Sequence, residues 1–110
     1  MMSIKNTKIQ TILTRLRNRF QDLYQNRLYR MILFGSQARE DAESDSDIDL
    51  LVVLEGPVNA GEEIERTGSI VADLCLEYGV VIGCVFIDRE RFLTRQGPLL
   101  RNIRQEGVPV

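Results

Sequence analysis

The chain predicts an α/β (α+β) fold, a small mixed β-sheet flanked by helices. Three observations carry this. Short apolar runs at 28–34 (LYRMILF), 47–54 and 80–87 (VVIGCVFI) read as strands. Segments of helical periodicity alternate with them. The length of 110 residues, 44% apolar and 27% charged, suits one globular domain spanning 1–110.

Each element has its own signal. Ile9, Ile12, Leu13, Leu16, Phe20 and Leu23 recur in steps of three and four, which predicts an amphipathic helix over 5–25. Lys8, Arg15, Arg17 and Arg19 fall largely off that stripe and read as a solvated basic face, with a phosphate-contacting face as the alternative. The run 28–34 ends at Gly35, and Ser36 can cap a short helix over 36–40. Residues 41–46 form a polar turn. The strand 47–54 is apolar on both faces after Asp49, so it belongs at the centre of the sheet, covered on both sides. Gly56, Pro57, Asn59 and Gly61 mark a loop.

A helix over 62–78 then turns Ile64, Val71, Leu74, Cys75 and Tyr78 inward, with Gly68 allowing close packing. After the strand 80–87, Asp88 caps a short helix. Pro98 opens a last helix that Gly107 stops, and the tail VPV is extended.

Composition excludes several chemistries. The net charge of −2 does not favour broad electrostatic binding to nucleic acid. The chain has no histidine, which removes Ser-His and Cys-His catalysis and disfavours zinc. Cys75 and Cys84 form no CxxC and read as small buried thiols. No run reaches the roughly 18 apolar residues of a membrane span. The start MMSIKNTKIQ has no apolar signal core. A cytoplasmic setting is expected.

The chemistry concentrates in FGSQAREDAESDSDIDLLVVL. Six of the ten residues from Glu40 to Asp49 are acidic, and Leu50 to Leu54 are wholly apolar. Residues two apart on a strand share a face, so Asp47 and Asp49 project together. Their repulsion is relieved by a divalent cation. Mg²⁺ characteristically takes one or two carboxylates plus substrate phosphates. Gly35 directly after a strand lets backbone approach a ligand, and Ser36 adds a hydroxyl, which makes a seat for phosphate. Arg39, one turn on, adds charge to the same phosphates or pairs with local acids. Glu40, Asp41, Glu43 and Asp45 read as a solvated turn. Asp45, Asp47 and Asp49 also match the start of a calcium loop. That loop requires Gly at its sixth place and Glu at its twelfth, and Leu50 and Gly56 stand there.

The combination of strand, Gly-Ser, ten residues, Asp-x-Asp and buried strand resembles the signature of the DNA polymerase β-type nucleotidyltransferase superfamily. More closely it is similar to the minimal nucleotidyltransferases (MNT), including antitoxins paired with HEPN-domain toxins. The ending LLRNIRQEGVPV is a softer similarity. The resemblance implies the nucleotidyltransferase fold. It implies that Gly35 and Ser36 hold the triphosphate of ATP, that Asp47 and Asp49 hold Mg²⁺, and that a hydroxyl attacks the α-phosphate as pyrophosphate leaves; Arg39 joins the nucleotide-binding candidates from its position alone. It also implies a HEPN-type toxin as partner in a hetero-oligomer.

Two residues depart from the pattern. Glu40 stands where such motifs often have Gly. The family's third carboxylate, from a later strand, is expected near Val81, yet that strand has no acid. Asp73, Glu77 and Asp88 are the nearest substitutes, with more ordinary roles as helix surface and helix cap. The general base is therefore unassigned, and Mg-nucleotide binding is expected to survive better than catalysis. The leading expectation is AMP transfer to a protein partner by an antitoxin. The alternatives are a non-catalytic antitoxin that neutralises by binding, and a small-molecule adenylyltransferase. The last is disfavoured because 110 residues leave no room for an acceptor-binding domain.

Overall fold

A computed structural model describes residues 6–39 and 47–110. The polar turn expected at 41–46, Glu40 at the end of the expected short helix, and Lys5 at the start of the expected first helix lie outside the described residues. The first helix, α1 (Thr7–Tyr24), starts where the Asn6 side chain accepts the Ile9 N–H at 3.1 Å. Its buried stripe is Ile9, Ile12, Leu13, Leu16, Phe20 and Tyr24. Leu23, expected in that stripe, is exposed instead. Tyr24 stands four residues after Phe20 and takes the inward place. A 3₁₀ turn at Gln25–Arg27 leads into the sheet.

Among the described residues four strands form the sheet: β1 (Leu28–Phe34), β2 (Ile48–Leu54), β3 (Ile82–Asp88) and β4 (Val108–Pro109). Their order is β3-β2-β1-β4. β1 runs antiparallel to β2 and β4, while β2 and β3 are parallel. The sheet is therefore mixed, as expected. β2 is central and buried at every position except Asp49. Each fully buried Leu, Ile or Val there contributes about 1.5–3 kcal/mol. The pairing of β4 with Ile32 and Leu33 was not anticipated beyond an extended tail.

Two layers of helix cover the sheet. α1 and α3 (Ala60–Tyr78) pack on the face carrying Met31, Leu33, Leu50, Val52 and Ile82. α4 (Arg89–Thr94) and α5 (Pro98–Glu106) supply Phe92, Leu100 and Ile103 to the face carrying Ile32, Leu51 and Val53. A further short helix, α2 (Ser36–Arg39), follows β1. Asp88 caps α4 by accepting the Arg91 N–H at 2.7 Å, and Pro98 opens α5, both as expected.

α3 corrects three expectations. It begins at Ala60 rather than 62, because the Asn59 side chain accepts the Glu62 N–H at 3.1 Å. Its inward stripe includes Glu63, Thr67, Ile70 and Leu74, so Ile64 points out and is 56% exposed. Gly68 faces open space and mediates no close packing. Cys75 and Cys84 are half-buried rather than buried, and burial pushes the Cys84 thiol up to about 12.

Glu63 is only 2% exposed. It accepts the Tyr24 hydroxyl at 2.6 Å and Arg66 at 2.5 Å, with Arg27 at 3.9 Å. Burial alone would raise its carboxyl, but these donors outweigh it and hold the group below the ordinary glutamate value. A depressed folded pKa stabilises the fold above the unfolded value. That stability is lost as pH falls through the folded one. Glu63→Gln is expected to cost about 1–3 kcal/mol in urea denaturation at pH 7. The difference from wild type should shrink as the pH falls below about 4.3. An unchanged difference at pH 3 would contradict the assignment.

Candidate functional site

The chain leaves the sheet at Phe34 and returns to it at Ile48. Phe34 pairs with Asp49 across β1 and β2, so the excursion begins and ends at one level. Gly35 turns the chain at φ +74°, in the left-handed region that favours glycine. Its carbonyl accepts the Ala38 N–H at 3.1 Å and the Arg39 N–H at 3.3 Å, closing α2. Ser36 is thus the first helical residue rather than the cap.

This return places Gly35 against Asp49. A Cβ at Gly35 would lie 2.6 Å from Asp49 Oδ2, inside contact distance. On the other side, Asp49 pairs with Gly83 of β3, where a Cβ would lie 3.7 Å from Asp49 Oδ1. The Asp49 carboxylate therefore sits in a slot between two glycines. It is on the sheet face of Leu51 and Val53, the α4/α5 side. Burial raises its carboxyl above the usual range, and the nearby Asp47 charge adds to this. Asp47 itself is exposed, at the entry to β2.

The donor set fits a hard cation. Asp47 is near enough for its charge to act on the Asp49 carboxyl, and two carboxylate oxygens side by side suit a cation that prefers oxygen ligands. Arg39 forms an ion pair with Glu106 of α5 at 3.4 Å. Sequence reasoning did not find Glu106, because 67 residues separate the pair.

The three substitute carboxylates are placed elsewhere. Asp73 and Glu77 lie on α3, across the sheet from Asp49, where they pair with Arg19 and Arg15 of α1. Arg15 and Arg19 thus join α1 to α3 rather than forming only a solvated face. Asp88 pairs with Leu54, five positions beyond the level of Asp49, about 16 Å along the strand. Among the described residues no group of three metal-ligating side chains forms. The register also refines the expected third position. Gly83, rather than Val81, stands directly across from Asp49. A glycine inside an apolar strand signals a close approach, and this one was passed over.

Comparison with known proteins agrees with this architecture. Residues 13–108 match the family model described as nucleotidyltransferase domain. A candidate protein adenylyltransferase of Methanocaldococcus jannaschii is 36% identical over 91 residues, covering 82% of this chain and 85% of the relative. Two solved structures share the fold. One chain, from a crystal structure of a toxin-antitoxin with AMP-PNP, has a TM-score of 0.59 at 15% identity. That match covers 86% of this chain and 68% of the other. A candidate nucleotidyltransferase from Sulfolobus solfataricus has a TM-score of 0.54 at 18% identity, covering 99% and 90%. The chain belongs to the nucleotidyltransferase domain family. Among the described residues no helix is long and apolar enough to cross a membrane.

Proposed function

We propose that this nucleotidyltransferase transfers AMP from ATP to a hydroxyl on a protein partner, and that the partner is a toxin of the HEPN type. The slot that holds Asp49 between Gly35 and Gly83, beside Asp47, carries the reading. The name of the archaeal relative supports a protein acceptor, and the toxin-antitoxin neighbour with AMP-PNP supports the pairing and the nucleotide. The proposal takes residues 1–110 as one minimal domain with a cytoplasmic setting.

Each residue has a role in it. Asp47 and Asp49 hold Mg²⁺, which when bound supplies positive charge against the triphosphate. Gly35 and Ser36 seat the phosphates, with backbone where a side chain would block them. Arg39 directs its guanidinium to the same phosphates, with Glu106 as its counter-ion when no nucleotide is bound. The acceptor oxygen attacks the α-phosphorus in line. The bond to the bridging oxygen breaks, and pyrophosphate leaves with the electron pair. Positioning and electrostatics supply the rate enhancement in such transfers.

A second reading is a binding antitoxin without catalysis. The observation that favours it is Gly83, which brings no carboxylate to the place beside Asp49. One experiment separates the two. The chain is mixed with the product of its neighbouring reading frame, Mg²⁺ and α-labelled ATP. The wild type should label that protein, and Asp47→Asn should lower the rate about a hundredfold or more. Label transfer that Asp47→Asn leaves unchanged would sink the catalytic version. Full protection of cells by Asp47→Asn and Asp49→Asn would support the binding antitoxin.

A further inference from the structure

We propose that the outer edge of β3 docks the acceptor as an added β-strand, so that its hydroxyl side chain crosses over Gly83 toward the nucleotide. This rests on the transfer reading above and names how the acceptor is held.

β3 is the last strand in the sheet order, with β2 on one side and no strand on the other among the described residues. The Ile48 N–H donates to the Val81 carbonyl at 2.9 Å. Backbone groups alternate in direction along a strand, so those of Ile82, Cys84 and Phe86 point to the open edge. Exposed edges are ordinarily blunted by charge, proline or a bulge. From Val81 to Ile87 this edge has no charged residue and no proline, and its pairing with β2 runs in unbroken register. Such an edge is suited to main-chain recognition, in which backbone bonds give affinity and alternate side chains give specificity.

Both faces of the edge fit an extended segment. On the face of Asp49, Val81 and Val85 are 59% and 41% exposed and flank the exposed Gly83. A strand added there lies roughly two strand spacings, about 9.5 Å, from β2. The missing side chain at Gly83 leaves a gap between that strand and Asp49. A residue opposite Gly83 projects into the gap, and its neighbours two positions away meet Val81 and Val85. On the other face, a depression of about 380 Å³ lined by Ile64, Thr67, Gly68 and Val71 takes the intervening side chains. This accounts for the outward Ile64. The occupant is therefore an extended protein segment, uncharged at its centre, with a hydroxyl residue between two apolar ones at alternate positions. In the transfer step the acceptor oxygen forms its bond to the α-phosphorus, pyrophosphate departs, and the hydroxyl proton passes to water at the open edge.

The test uses the full chain, the product of the neighbouring reading frame, Mg²⁺ and α-labelled ATP. The double variant Val81→Lys with Val85→Lys places charge on the edge at exposed positions. It should raise the acceptor KM about tenfold or more. Binding of Mg-AMP-PNP should stay at the wild-type value. Hydrogen exchange at Ile82, Cys84 and Phe86 should slow when the acceptor is added to the wild type. Equal acceptor KM for the two proteins, or no protection at these three amides, overturns the docking while leaving the transfer reading intact. No labelling by the wild type removes both. A dimer that the lysines dissociate without changing labelling assigns the edge to a second copy and also overturns the proposal.

Discussion

Gly35→Ala should lower nucleotidyl transfer by about a hundredfold, the scale of a reacting group displaced by roughly 1 Å. Two effects combine at this position. At φ +74° a side chain costs about 1–2 kcal/mol. The new Cβ would also stand 2.6 Å from Asp49 Oδ2, so the carboxylate must leave its slot. The neighbouring strands offer no easy relief, because β2 is central and hydrogen-bonded on both sides. Gly79 separates the two effects. It has a similar φ of +66° but open space where a Cβ would go. Gly79→Ala should lose only the backbone share, about 1–2 kcal/mol in denaturant, and keep wild-type transfer. If Gly35→Ala and Gly79→Ala lose transfer equally, the contact with Asp49 is not what the glycine protects.

The three long strands were legible because each is a compact apolar run bounded by turn residues. Strand alternation, a local rule, is what singles out Asp47 and Asp49 as candidates; Asp49 lies within β2, and Asp47 stands just before its first residue. Burial on both faces of β2 followed from the same run of Leu and Val. The inward face of α3 was not legible from apolar spacing. Two of its buried positions are Glu63 and Thr67, which are tolerated because their polar groups are bonded. Glu63 depends on Tyr24, 39 residues away, and no local pattern announces that partner. The same holds for the pair of Arg39 with Glu106. β4 escaped because two residues carry too little signal to mark a strand. Gly83 escaped because its meaning depends on register. Only the parallel alignment of β2 and β3, set by the whole crossover through α3, puts it beside Asp49 rather than beside Asp47.

Gly83→Asp should therefore strengthen Mg-nucleotide binding about tenfold. A third carboxylate would enter the place across from Asp49, where a Cβ meets Asp49 Oδ1 at an ordinary 3.7 Å. Unit charges about 4 Å apart interact by about 4 kcal/mol at an effective dielectric of 20. Desolvation and repulsion among three acids cancel much of that, and about 1.4 kcal/mol remains as a tenfold gain. Without Mg²⁺ the same repulsion should lower the melting temperature. Gly83→Asn fills the same volume without the charge and should not tighten binding. The transfer kinetics should then split. If an acceptor side chain crosses the gap at Gly83, Asp occupies part of that path. The acceptor KM should rise even as the nucleotide Kd falls. Titration calorimetry with Mg-AMP-PNP gives the first quantity and label transfer at varied acceptor gives the second. Tighter nucleotide with an unchanged acceptor KM would mean that the gap serves the metal alone. Unchanged nucleotide binding would mean that the carboxylate at Gly83 does not face the cation held by Asp47 and Asp49.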